Sequence, residues 1–231
     1  MSKKKDVILA IYEHCKKKNS YVFHNDIVKE FSKKIGLGNP FDVTKLDTSS
    51  KIPQELVEKN ICIVHLGSGN HQFINAFDKV FHKFEPIEKT IDWNYQRSIL
   101  NLSNSSESNI LSVANNQRIL HQFVFGEDTE FNNVEIIKRP KTYFPHRTKA
   151  DLTYKLGDLA TLNLKNIQIE IDLTIELKGK VAIFESKNGN PKDFSICQIY
   201  HPFLFYHNLN TSNQLVKGKI SEIIGVYAVK S

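Results

Sequence analysis

The chain has 231 residues, 40% of them apolar and 24% charged, with a net charge of +6 from 31 basic and 25 acidic side chains. No apolar run approaches the roughly 18 residues of a membrane span, so no membrane segment is expected in what reads as an ordinary globular composition. Cys15, Cys62 and Cys197 have neither disulfide-framework nor zinc-knuckle spacing, which points to a reducing, cytoplasmic setting, and the basic excess is compatible with a polyanionic partner.

The opening "MSKKKDVILAIYEHCKKK" begins with basic residues as a signal peptide does, but its apolar stretch is short and interrupted by Glu13 and His14. It reads instead as an amphipathic helix with Val7, Ile8, Ile11 and Tyr12 on one face. "HNDIVKEFSKKIG" repeats the stripe at Ile27, Val28, Phe31 and Ile35, with Asn25 or Asp26 as the expected cap and Gly36 as the stop. A third helix is expected to start near Pro53, followed by two β-prone runs joined at Gly67-Ser68-Gly69-Asn70. Helices followed by a hairpin give residues 1–85 the order of a winged helix-turn-helix. The stretch from Phe77 to Asp92 reads as a linker, and residues 93–231 as a second domain.

In that second part, "SESNILSVANNQRILHQFVF" predicts one helix burying Ile110, Leu111, Val113, Ala114, Ile119 and Leu120. A basic loop from Lys138 to Lys149 follows. Two strands flank Lys178-Gly179, "DFSICQIYHPFLFY" reads as a helix bent near Pro202, and "IIGVYAV" as a strand.

The candidate chemistry lies in the paired strands. In "IQIEIDLTI", Ile167, Ile169, Ile171 and Leu173 alternate with Gln168, Glu170 and Asp172, so the polar side chains share one face. A hairpin turning symmetrically about Lys178-Gly179 pairs residues whose numbers sum to 357, which sets Asp172 opposite Glu185 and Glu170 opposite Lys187. Directly opposed Cβ atoms lie about 4.5–5.5 Å apart, so Asp172 and Glu185 would converge on one ion. Two such carboxylates repel, and a hard divalent cation with oxygen ligands relieves the repulsion. Mg2+ fits best, held by Asp172, Glu185 and the carbonyl of Ser186, with waters and a phosphate oxygen completing its shell. Lys187 would orient or help deprotonate the attacking water, or neutralise the pentavalent phosphate.

Asp172, the thirteen-residue spacing and Glu185-Ser186-Lys187 resemble the D…(D/E)XK signature of the PD-(D/E)XK nucleases, and residues 168–200 look particularly like type II restriction endonucleases of that superfamily. Ile171 departs from the pattern, standing where a loosely kept proline precedes the aspartate. The resemblance implies an α/β core, α+β for the chain as a whole, in which a mixed β-sheet is flanked by helices. It implies Mg2+-dependent, site-specific hydrolysis of double-stranded DNA leaving 5′-phosphate ends, and a companion DNA methyltransferase. Two strand cuts favour a homodimer or sequential nicking. It also suggests that Gln198 faces the metal site, the alternative being packing near Tyr200. Glu170 is left between a second ion and an ion pair with Lys187, and Glu107 between a further carboxylate of the site and a solvated helix face. The rival functions are a structure-specific repair or junction nuclease and a non-catalytic DNA-binding regulator.

DNA contacts are expected from Lys138, Arg139, Lys141, Arg147 and Lys149 in the basic loop, whose alternative is a solvated surface. In the N-terminal module Thr44, Lys45, Ser49, Ser50, Lys51 and Gln54 would lie near the start of a recognition helix, with Asn70 and His71 at the hairpin tip. The nine histidines suggest no rival site, "GSGN" lacks the ending of a phosphate loop, and Ser186 has no adjacent base.

Overall fold

The structure is a computed structural model and describes residues 2–90, 106–126, 139–156, 160–212, 214–215 and 218–230. It is an α+β protein whose described residues divide into two compact units.

The first unit takes in residues 1–84, 149–168 and 192–197, so segments far along the chain join the N-terminal elements. Helix α1 (Lys3–Lys17) buries Val7, Ile8, Ile11, Tyr12 and Cys15, the stripe expected of it. After β1 (Val22–His24), α2 (Asn25–Ile35) is capped by His24 and not by Asn25 or Asp26: Nδ1 of His24 accepts from the Asp26 N–H at 3.3 Å. The helix stops at Gly36, whose φ of +73° is open to glycine at little cost. Two 3₁₀ turns, Pro40–Asp42 and Ser49–Lys51, precede a short α3 (Gln54–Glu58). Strands β2 (Ile61–Gly67) and β3 (Asn70–Asn75) form the expected hairpin, and the antiparallel sheet has the order β1-β3-β2. The stretch expected to be a linker begins as regular structure, α4 (Phe77–Val80) and β4 (Phe81–Lys83), because β4 has an antiparallel partner in β10 (Asp193–Ser195).

The helix expected over residues 106–125 is two, α5 (Glu107–Asn116) and α6 (Ile119–Phe125), separated at Arg118, which adopts a left-handed φ of +60°. Their apolar faces pack through Leu111 and Leu120 on Leu173, Ile175, Ala182 and Phe184. Each of the Leu, Ile and Phe side chains contributes roughly 1.5–3 kcal/mol on burial. These four sheet residues come from β8 (Leu173–Leu177) and β9 (Lys180–Asn188), which with β5 (Lys141–Tyr143) and β11 (Glu222–Lys230) make a mixed sheet of order β11-β9-β8-β5. Strand β8 pairs antiparallel with both β5 and β9, and β11 is parallel to β9. A parallel neighbour needs a crossover, and α7 (Cys197–Thr211), which contains Pro202, supplies it. Gly225, opposite Ile183, permits the approach of α7: a Cβ there would lie 2.3 Å from Cγ2 of Ile199.

The remaining strands, β6 (His146–Leu156) and β7 (Ala160–Ile171), form a two-stranded ribbon. Leu162 and Leu164 are buried before Asn166, and Ile167, Ile169 and Ile171 after it. Asn166, at φ +53°, therefore switches the buried parity as a bulge does.

Candidate active site

The β8–β9 hairpin turns on Lys178 and Gly179, at φ +50° and +83°, a two-residue loop whose twist suits antiparallel strands. Five pairs from Leu173↔Phe184 to Leu177↔Lys180 have numbers summing to 357, the expected register. Asp172 lies at the bend just before β8, and Glu185 directly follows Phe184, the last residue of β9 paired with β8.

Each acid is held from one side. The Ser186 N–H donates to Oδ2 of Asp172 at 3.0 Å, with the Ser186 hydroxyl 3.4 Å from the same oxygen and donating at 3.0 Å to the Glu107 carbonyl. Oε1 of Glu185 accepts from Lys187 Nζ at 2.7 Å and from Gln198 Nε2 at 2.5 Å. Among the described residues these donors leave Asp172 Oδ1 and Glu185 Oε2 free for another partner. Burial is the largest influence on Glu185 and outweighs the attraction of Lys187. With repulsion from Asp172 and Glu107, it pushes the carboxyl up to about 7. Lys187 moves upward too: burial opposes the shift, but Glu185, Glu107 and Asp172 together hold the ammonium above its ordinary range.

Among the described residues no group of three or more His, Cys, Asp or Glu side chains is arranged to hold a metal. The site offers two carboxylates with uncommitted oxygens, one of them buried and disfavoured as an anion. This set fits Mg2+, which binds through one or two carboxylates and keeps waters and substrate oxygens for the rest of its shell.

Gln198, on the first turn of α7, meets the site as expected. Glu107 is drawn in as well, its Oε1 3.6 Å from Lys187 Nζ. Tyr227 was not legible as a site residue. The parallel pairing of β11 sets it beside Glu185, and its hydroxyl donates to Oε1 of Gln198 at 3.5 Å, but nothing in "IIGVYAV" announces that register.

Glu170 is a correction. It neither faces Lys187 nor joins Asp172; it pairs with Nε of Arg147 at 3.1 Å on the β6–β7 ribbon. The buried alternation of Ile167, Ile169, Ile171 and Leu173 runs on through Asp172 as expected, but the bend there ends β7 before β8 begins, so Glu170 belongs to a different sheet.

The expected DNA-contacting residues are also redistributed. A short helix, α3, does follow Pro53, but several side chains of residues 44–51, which lead into it, are engaged within the fold. Thr44 is buried, with its carbonyl 2.8 Å from the His65 ring, and Lys51 pairs with Asp47. The Ser49 N–H donates to Oδ1 of Asp193 at 2.7 Å and its hydroxyl to the other carboxylate oxygen. Ser50 shares a 2.9 Å hydrogen bond with Thr48. Lys45 and Gln54 remain exposed, the latter donating to Glu58 at 3.2 Å.

At the hairpin, His71 is buried and not at a groove-facing tip. Its ring stacks on Phe23, Nε2 lies 2.8 Å from Asn25 Oδ1, and burial, then His65 and His24, lower its pKa to about 3. Asn70 donates at 3.5 Å to the Ser68 carbonyl. The tip itself packs on β7, where a Cβ on Gly67 would lie 1.9 Å from the Lys165 carbonyl oxygen. Arg139, Lys141, Arg147 and Lys149 lie at the surface, Lys141 pairing with Glu176 at 3.0 Å. Lys138 lies outside the described residues.

The chain belongs to the family described as Domain of unknown function (DUF6997), whose model matches residues 76–230. A second model, Domain of unknown function (DUF6996), matches residues 6–73. No curated protein and no solved structure matches the chain. Among the described residues no helix is long and apolar enough to cross a membrane.

Proposed function

We propose that the chain is a Mg2+-dependent endonuclease that hydrolyses phosphodiester bonds of double-stranded DNA. The observation that carries the reading is the arrangement around Glu185: a buried carboxylate titrating near neutrality, Asp172 close enough to repel it, and Lys187 bonded to it, all at one end of the β8–β9 pair. Such a perturbed cluster is what acid–base and phosphoryl chemistry requires.

When bound, Mg2+ would lower the pKa of a coordinated water and offset charge on the phosphoryl group. Asp172, Glu185 and the Ser186 carbonyl would hold it. The Ser186 N–H fixes the Asp172 carboxylate, and Gln198, itself bonded by Tyr227, fixes that of Glu185. Lys187 orients the attacking water or takes up charge on the phosphate. Arg139, Lys141, Arg147 and Lys149 would neutralise phosphates of the substrate, and Lys45, Ser50 and Gln54 would contact it from a winged-helix module whose elements run helix, strand, helix, helix, hairpin.

The restriction form of this reading places a homodimer in the cytoplasm beside a companion methyltransferase. A structure-specific repair or junction nuclease is the second reading, favoured by how few of the expected base-reading side chains before α3 stay available: Thr44 is buried, and Ser49 and Lys51 are held by Asp193 and Asp47. Incubation with plasmid and branched DNA in Mg2+ tests both. Discrete plasmid bands support the restriction enzyme, and preference for branched DNA supports the second reading. Alanine at Asp172 or Lys187 should abolish cutting while binding survives. Wild-type protein that binds DNA and never cuts it overturns the nuclease and leaves a regulator.

A further inference from the structure

A cleft of about 850 Å³ opens between strand β5, the sheet face bearing Thr174, and α7. Its rim carries Tyr143 and Phe144, which keep 49% and 60% of their surface exposed. The register of β5 sets Tyr143 opposite Thr174 and Lys141 opposite Glu176. At the floor the Tyr206 hydroxyl lies 3.4 Å from that of Thr174, and burial, the main influence on Tyr206, raises its pKa, so it stays a protonated phenol able to donate. Lys141 and Lys219 bring two cations against one carboxylate, Glu176.

Adjacent exposed aromatics leave apolar surface in water that stacking would remove, and hydroxyls beneath them can meet the polar edge of a flat ring. The excess cation at the rim completes the chemistry of a nucleotide: planar, polar-edged and anionic. A duplex does not present that shape, because its bases are stacked on one another, whereas an unpaired base does.

We propose that this cleft takes an unpaired nucleobase of the bound strand, stacked on Tyr143 and Phe144, with the neighbouring phosphate facing Lys219. The inference rests on the reading of the partner as DNA and names which feature of that DNA is held.

The test is made with the full chain in EDTA, so that binding is read without cutting. Labelled duplexes are either fully paired or carry one unpaired 2-aminopurine. The unpaired duplex should bind more tightly, with 2-aminopurine fluorescence quenched on binding. Tyr143→Ala and Phe144→Ala should each weaken that complex roughly 5- to 100-fold, as loss of one aromatic stack implies, and leave the paired duplex unchanged. Tyr143→Phe should restore it. Far-UV circular dichroism checks that the variants fold, and two rim positions keep the test open if one does not.

Equal affinity of the wild type for both duplexes overturns the proposal, as does unchanged binding of the unpaired duplex by both alanine variants. Competition by free dAMP without preference for the unpaired strand also overturns it, assigning the cleft to a free nucleotide. Selective unpaired-base binding by a protein that never cuts in Mg2+ supports this inference while removing the nuclease.

Discussion

The Lys187 ammonium donates to Oε1 of Glu185 at 2.7 Å, and the two side chains keep only 16% and 10% of their surface in solvent. Removing the cation alone strands a buried carboxylate, which typically costs about 3–5 kcal/mol. Lys187→Met should therefore destabilise the fold by about that amount in urea titrations near pH 8. The loss should be smaller at pH 5, where Glu185 is protonated and needs no counter-ion. Cutting by the same variant should fall at least ~100-fold.

Glu185 itself makes stability and activity move in opposite directions with pH. Its folded pKa, about 7, lies above the ordinary 4.5, so the folded state holds this proton more tightly. The corresponding stability is fully present below about pH 4.5 and is lost as pH rises through about 7, on the order of 3 kcal/mol in all. Glu185→Gln should flatten that limb in thermal melts taken across the range. Mg2+ affinity of the wild type, followed by calorimetry, should rise with pH through about 7 as the carboxylate ionises.

His71 has the reverse sign. Its pKa is lowered from 6.5 to about 3, so neutral imidazole contributes stability that is present above pH 6.5 and lost as pH falls toward 3. On this account acid should cost the fold on the order of 4–5 kcal/mol through this residue. Nε2 is the nitrogen facing Asn25 Oδ1, and Nδ1 has no hydrogen-bond partner among the described residues. His71→Gln keeps a donor near Nε2 and cannot take up a proton, so acid titration by circular dichroism should show a shallower loss than in the wild type.

Gly67 combines a φ of +86° with a neighbour that cannot yield, the Lys165 backbone carbonyl. Gly67→Ala should destabilise by at least ~1–3 kcal/mol, from the backbone conformation alone before any steric shift. Equilibrium unfolding measures it. Gly38, where an added Cβ meets nothing within 4 Å, is the control and should change little on substitution by alanine.

Glu170 should be dispensable for catalysis. Its pair with Arg147 leaves the side chains 57% and 72% exposed, and ion pairs of that kind are worth about 0–1 kcal/mol. Glu170→Ala should cut DNA within about twofold of the wild-type rate, while Asp172→Ala should not cut at all.

The contrast between Glu170 and Asp172 also marks how far the sequence could be read. The register from Leu173 to Lys180 was legible because a symmetric turn about Lys178-Gly179 and the apolar alternation of β8 leave few ways to pair the strands. The bend at Asp172 has no such local signal, and it decides that Glu170 belongs to another sheet. His71 was misplaced although the period of two puts it on the side of buried Phe73; the turn next to it suggested an exposed tip, and the packing of Gly67 on Lys165 is a long-range fact. The helix after Pro53 was legible, but that Ser49 ahead of it is held by Asp193, 144 positions further on, has no local signal. Gln198 came from the resemblance, not from any local pattern, which leaves packing near Tyr200 equally open. Glu107 and Tyr227 depend on how α5 and β11 pack beside it, which no local pattern encodes.

The pairing of β4 with β10, together with the Asp193–Ser49 bonds, bears on how the protein can be dissected. A fragment ended near residue 85 would keep Phe81–Lys83 as an orphaned edge and leave the Ser49 amide in search of an acceptor. Such a piece would aggregate more readily than the whole chain, and peptides spanning Asp193–Ser195 would be its natural complement in trans.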